Sequence, residues 1–271
     1  MGLMNKWIHY GKHEQYSGYF AVPEQAQKPL PAVIVFQEVW GVDEHIQDVT
    51  RRFAQAGYAA MAPDLYSESG ERKPGLEPSR IDAVKSFLET MPPTAWHSEE
   101  ERNKALQQLP GDEPQRVGET FGKLFGGLSP DNYTEQVLAA AQFLREENES
   151  TQGQGIVSVG FCMGGALSAH LAAHDRNLKG AVMFYGRPPK DELIQNINCP
   201  VRAFYGELDE RLTKGAPAFS QQMTQHNKDF EYTVYEQAHH AFFNDSRRSY
   251  NVKASRSAFA KTLGWFSSWI G

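Results

Sequence analysis

The run Ile156-Val-Ser-Val-Gly160-Phe-Cys162-Met-Gly164-Gly165, continued by the helical pattern Ala166–Ala173, decides how this chain folds. Ile156–Val159 is short, apolar and β-branched, the pattern of a strand covered on both faces. Between strand and helix lies G-x-C-x-G-G, the strand–turn–helix context of a nucleophile elbow. So tight a turn leaves no room for a Cβ at either flanking glycine, where it would run into the neighbouring strand or helix. Cys162 then stands at a helix N-terminus. The positive end of the helix dipole favours a thiolate there, and the Met163 amide points where an oxyanion would form. The same residues also fit a buried core cysteine beside an ordinary glycine-rich turn, so the rest of the chain must arbitrate.

Outward from the elbow, Pro31–Gln37, Tyr58–Met61, Ala181–Tyr185, Val201–Tyr205 and Tyr232–Tyr235 repeat the buried-strand pattern. Helical spacing separates them. Asp43–Ala56 carries Ile46, Val49, Phe53 and Ala56 behind an Asp43 N-cap, and Thr134–Arg145 and Val252–Trp269 look alike. Strands alternating with helices predict an α/β fold: a mostly parallel sheet with helices on both faces, in one domain over residues 1–271. The stretch Pro92–Pro130 breaks the alternation with charge, Pro and Gly. It predicts a helical insertion at 92–130, with one helix at Glu99–Leu109 and a stripe of Val117, Phe121, Leu124, Phe125 and Leu128. Such an insertion serves as a lid over a site or as a peripheral hairpin. Gly118, Gly122 and Gly126 form a G-x-x-x-G series in too polar a setting for a membrane motif.

The 271 residues carry 27 Lys and Arg against 33 Asp and Glu, a formal charge of −6, so the balance is mildly acidic. With no basic block, this argues against nucleic acid or an anionic membrane as a partner. A hydrophobic share of 40% with 12% aromatic excludes disorder. No apolar run has the roughly 18–20 residues that cross a bilayer, and Met1–Tyr10 lacks the apolar core of a signal peptide. Two cysteines are too few for a disulfide scaffold and suit a reducing compartment, so a cytoplasmic location is expected.

Partners for Cys162 follow in chain order. Val201–Tyr205 leads into Gly206-Glu-Leu-Asp209, an acid at a strand's carboxyl end. Tyr232–Tyr235 leads into Glu236-Gln-Ala-His239-His240. Nucleophile, acid and histidine, each after a later strand, are what a catalytic triad requires: the imidazole shuttles protons and the carboxylate sets its tautomer. Glu207 competes with Asp209 for the acid's place but directly follows Gly206. Cys199, before Pro200 at a strand start, reads as structural. His170 and His174 stand i, i+4 on the helix after the elbow, but no third ligand falls in pattern, so a packed pair is the better reading than a metal site. His9, His13, His45, His97 and His226 read as surface residues. No metal or organic cofactor is expected, and the oligomeric state is left open.

At these residues the chain resembles the dienelactone hydrolase family of the α/β-hydrolase superfamily. The matching segments are Gln37–Gly41, Gly57–Tyr66, Gly160–Leu167, Gly206–Asp209 and Ala238–Phe242. The resemblance implies an α/β-hydrolase fold and hydrolysis of a small ester or lactone through a cysteinyl acyl-enzyme. It implies Cys162, Asp209 and His240 as the triad, and Glu38 as a glutamate that holds the resting thiol and helps ionise it. The amides of Val39 and Met163 become the oxyanion hole. One departure stands out. Family members that bind a substrate carboxylate carry arginine four residues after the catalytic histidine; here that place is Asn244, followed by Asp245. Neutral esters or lactones are therefore expected as substrates, with Arg72 or Arg80 as the residues that would alter this. A different class remains open to the sequence: a non-catalytic ligand-binding or interaction module on the same fold.

Overall fold

A computed structural model describes residues 2–91, 98–126 and 128–271. The strands are β1 Leu3–Tyr10, β2 Tyr16–Pro23, β3 Ala32–Phe36, β4 Ala59–Asp64, β5 Ser67–Glu68, β6 Glu71–Arg72, β7 Ile156–Phe161, β8 Gly180–Phe184, β9 Val201–Gly206 and β10 Phe230–Tyr235. The helices are α1 Glu44–Gln55, α2 Pro78–Thr90, α3 Glu99–Leu106, α4 Glu113–Phe125, α5 Thr134–Gln142, α6 Met163–His174, α7 Asp191–Ile194, α8 Glu210–Thr213, α9 Ala216–Gln225 and α10 Val252–Ile270. Eight strands form one sheet in the order β1-β2-β4-β3-β7-β8-β9-β10; β5 and β6 make a separate small ribbon. From β4 to β10 every pairing is parallel, and the β1–β2 hairpin joins antiparallel through β2 to β4.

The two-sided apolar strands explain the layers. In β3, Ala32, Ile34 and Phe36 enter one core while Val33 and Val35 enter the other, all fully buried. The first core packs under α2, α4, α5, α6 and α9; the second packs under α1 and α10. Helix α1 starts where expected, the Asp43 carboxylate accepting from the Ile46 amide at 3.2 Å. Asn251 caps α10 in the same way through Ala254 at 3.0 Å. Nearly all of α6 is buried, which suits its apolar sequence all round.

Four local readings change. The hairpin β1–β2 and helix α2 were not anticipated. In β1 the alternation is weak because it is an edge strand with Met4 and Trp7 exposed. Helix α2 begins at Pro78 with no capping side chain to announce it. The helix expected to Arg145 stops at Gln142 and passes into a single π turn, Phe143–Glu147. His45, expected on the surface, is buried on α1 between the rings of Phe161 and Phe243, its Nδ1 3.1 Å from Asp245.

Within the insertion, positions 92–97, His97 among them, and 127 lie outside the described residues. Helix α3 ends at Leu106, before the expected Leu109. Val117, Thr120 and Leu124 of α4 are buried, Phe121 and Phe125 half-buried, and Leu128 lies beyond the helix and exposed. Arg80 of α2 ties the two helices together through Thr120 at 3.0 Å, the Arg116 carbonyl at 3.0 Å and Glu119 at 3.0 Å. Among the described residues no helix is long and apolar enough to cross a membrane.

Candidate active site

The parallel strands end on one edge of the sheet, and the residues singled out from the sequence follow those ends: Glu38 after β3, Cys162 after β7, Asp209 after β9 and His240 after β10. Binding sites of open α/β sheets lie at this carboxyl edge. Cys162 has φ +55° and ψ −114°, a conformation that a non-glycine residue adopts only when its surroundings impose it. They do so through the glycines. A Cβ on Gly160 would fall on the Gly164 carbonyl, and one on Gly164 would meet the backbone of Phe36 and Gln37. The Cys162 amide donates to the Phe184 carbonyl at 3.0 Å, tying the elbow to β8. Met163 is the first residue of α6, so its amide belongs to the first helical turn, whose donors have no acceptor within the helix.

His240 Nδ1 lies 2.6 Å from Asp209 Oδ2, and the ring is close enough to Cys162 for each to act on the other's charge. The Asp209 side chain is nearly buried. Burial of the imidazole opposes its charge, yet Cys162 and Asp209 together outweigh this and lift the His240 pKa well above the ordinary histidine range. Glu207, the competing acid, is exposed and accepts from the Gln237 amide at 2.8 Å; the carboxylate against the imidazole is that of Asp209. Neighbouring His239 is exposed. Gln237 and Ala241 have φ +54° and +59°, bracketing His240 between two left-handed residues.

Glu38 is only 3% exposed, and its partners are neutral. Tyr185 donates its hydroxyl to Oε1 at 3.1 Å, and Asn244 donates Nδ2 to Oε2 at 2.7 Å. The helix-capping or ion-paired roles open to such an acid are not those seen here. Burial first, and the Glu38 charge next, push the Tyr185 pKa well above the ordinary tyrosine range, so the phenol remains a donor. Tyr185 itself has φ +41° at the end of β8, with its ring 5.0 Å from that of His240. Tyr66 donates to the Val39 carbonyl at 2.7 Å, which fixes the peptide that follows Val39, the residue whose own amide the family resemblance assigns to the oxyanion hole.

Sequence reasoning missed Tyr185 and Tyr66. Their signal was positional, an aromatic just past a buried strand. Asn244 was noticed for the arginine it replaces; its bond to Glu38 was not foreseen.

The remaining candidates have other partners. Arg80 is engaged by α4. Arg72 pairs with Asp64 and donates to the Leu76 carbonyl at 3.1 Å, and its guanidinium lies over the Tyr66 ring and against Gly41, beside the loop that carries Val39. Asp245 faces His45 and Arg52 rather than adding a free negative charge. Cys199 is buried, which raises its thiol to about 12. His170 and His174 stack at 4.1 Å, and His170 Nε2 meets the Thr134 hydroxyl at 2.8 Å. Among the described residues no group of three His, Cys, Asp or Glu side chains could hold a metal ion.

Comparison with known proteins places this geometry. The profile of the "Dienelactone hydrolase family" matches residues 16–270. A protein of Saccharolobus solfataricus provisionally named carboxymethylenebutenolidase is 34% identical over 244 residues, 90% of each chain. A similarly named protein of Escherichia coli O157:H7 is 30% identical, over 93% of this chain and 82% of the other. A solved structure provisionally named dienelactone hydrolase, from Klebsiella pneumoniae, superposes with a TM-score of 0.65 at 26% identity, covering 98% of this chain and 99% of the other. A dienelactone hydrolase of Anabaena variabilis shares the fold at TM-score 0.64 and 12% identity, over 100% of this chain and 99% of the other.

Proposed function

The chain belongs to the dienelactone hydrolase family and is an ester or lactone hydrolase, and from that premise we propose that it works through a cysteinyl acyl-enzyme on Cys162, with His240 and Asp209 completing a triad. As Cys162 Sγ adds to the carbonyl carbon its proton passes to His240, and the π pair moves to oxygen, where the Val39 and Met163 amides donate to it. Collapse expels the alkoxide, which takes the His240 proton and leaves as an alcohol. Neutral His240 then draws a proton from water as its oxygen attacks the thioester. The sulfur leaves as thiolate beside the imidazolium, and the carboxylic acid departs. Asp209 holds Nδ1–H throughout and leaves Nε2 free to shuttle the proton. Glu38 takes no proton in these steps and acts only through the state of the resting thiol. No metal or organic cofactor enters the scheme. The substrate is a small ester or lactone, and a cytoplasmic setting suits the free thiol.

The observation that carries this reading is the 2.6 Å His240–Asp209 bond on a ring that also engages Cys162 at a strained elbow. Helices α3 and α4 are proposed as the cover over the site, with Phe125 edge-on to Trp40 at 6.0 Å, one residue from Val39. A synthetic-ester assay with Cys162→Ala tests the nucleophile. Rapid quenching of the wild type during turnover should yield an acyl adduct on the Cys162 peptide. Wild-type turnover by Cys162→Ala overturns the reading, and no turnover by the wild type on any ester or lactone leaves the binding-module alternative standing.

A further inference from the structure

Glu38 raises a question that the acyl-enzyme scheme leaves open. A buried carboxylate needs donors for both oxygens. The Tyr185 hydroxyl feels the charges of both Glu38 and Cys162, so carboxylate and thiol share one electrostatic neighbourhood. Near a thiol, a carboxylate with a free oxygen is a competing acceptor for the S–H proton. Here both oxygens are already taken by uncharged donors, Tyr185 and Asn244.

The donor on the Asn244 side is held rigidly. Asn244 is 1% exposed. Its Oδ1 accepts from the Ser246 amide at 3.0 Å and the Ser246 hydroxyl at 2.6 Å, which aims Nδ2 at Glu38. Its backbone amide donates to the Ala241 carbonyl at 3.0 Å, and Ala241 is the left-handed residue directly after His240. One short loop therefore presents both the imidazole that engages Cys162 and the amide that holds Glu38.

We propose that Asn244 is a positioning residue: with Tyr185 it holds the Glu38 carboxylate so that His240 alone engages the Cys162 thiol before substrate arrives. The clamp is neutral, so a substrate anion has no cation to pull away from Glu38. The nucleophile is then ready whatever the charge of the substrate. This inference rests on Cys162 being the nucleophile, and its test reads the thiol directly rather than turnover.

The experiment measures the alkylation rate of Cys162 by iodoacetamide at neutral pH without substrate, located by peptide mass spectrometry. Thiolate ultraviolet absorbance and the unfolding temperature are followed alongside. Asn244→Ala frees one Glu38 oxygen and should slow alkylation about tenfold, the scale of one hydrogen bond to a charged group. The double variant Asn244→Ala with Glu38→Gln should regain the wild-type rate and thiolate absorbance. A merely structural role for Asn244 predicts no such rescue, since removing the carboxylate does not repair the loop. Should Asn244→Ala not fold, Tyr185→Phe removes the other donor and keeps the ring; it should slow alkylation and be rescued by the same Glu38→Gln change. An unchanged rate in the folded single variant, or no rescue by Glu38→Gln, overturns the proposal. Wild-type ester turnover by Cys162→Ala would instead strike the underlying reading and leaves the alkylation result intact as a separate finding.

Discussion

At the scale of single residues, the site separates side chains that composition cannot. His239 and His240 are neighbours, but His240 meets Asp209 at 2.6 Å while His239 is exposed. His240→Ala is expected to lower ester turnover about 10³-fold or more, the scale for a triad member, and His239→Ala by less than about tenfold. Steady-state kinetics of the two variants decide it; the reverse order would shift the assignment by one residue. Substrate charge belongs to the same scale. Asn244 spends its amide on Glu38, Arg80 is bound to α4, and Arg72, although beside Gly41, is paired with Asp64. A carboxylated ester should therefore show no gain in kcat/KM over its neutral analogue of matched size. A tenfold advantage for the anion would show that a cation reaches the site after all.

At the scale of elements, the junction between β7 and α6 and the docking of α4 make separate predictions. Gly164→Ala would set its Cβ against the backbone of Phe36 and Gln37, at the end of the strand that leads to Val39. The helix must then back away, parting the Met163 and Val39 amides. Turnover should fall about 10²-fold, the scale of one oxyanion donor, with a lower unfolding temperature. A variant as active as wild type would show that the elbow tolerates the shift. Arg80 bonds α2 to α4 through Thr120, Arg116 and Glu119, so Arg80→Ala should loosen α4, the proposed cover, without touching Cys162, Asp209 or His240. Limited proteolysis should then cut faster within 98–126, and KM should rise more than kcat falls. An unchanged cleavage rate would mean that the apolar contacts of Val117 and Leu124 suffice alone.

At the scale of the whole molecule, the pH dependence of stability follows from a histidine far from the chemistry. Burial, and then the neighbouring His174, lower the His170 pKa to about 4. The unfolded chain binds this proton near 6.5, so between about 6.5 and 4 the unfolded state holds more protons than the folded one. Stability that is complete above pH 6.5 is therefore lost as pH falls through this window. The loss is about 2 kcal/mol once solvent screening is allowed for, or several degrees in unfolding temperature. His170→Gln, whose amide can still meet Thr134, should flatten that part of the curve when unfolding is followed by calorimetry from pH 7 to pH 4. An equal slope in the variant would assign the loss to other groups.

Much of the architecture could be read from the chain because it is local. Buried parallel strands are two-sided and so nearly uniformly apolar, which marks β3, β7, β8 and β9 without reference to their neighbours. The elbow declares itself because its steric demand admits only glycine at Gly160 and Gly164. Chain order also singled out Asp209 and His240. Edge strand β1 stayed hidden because solvent blurs its alternation, and α2 because no capping side chain marks its start. What only the tertiary structure decided are contacts between residues distant in sequence. His45 is buried because Asp245, 200 positions away, receives its Nδ1. Glu38 meets Tyr185 across 147 positions and Asn244 across 206, and of the two acids after β9 the His240 ring meets Asp209 while Glu207 takes only the Gln237 amide. The candidate site residues could thus be named from local sequence, while the partners that govern their charge were set by which strand ends lie side by side on one sheet edge. No pattern along the chain encodes that adjacency, because it arises only when the whole sheet has closed.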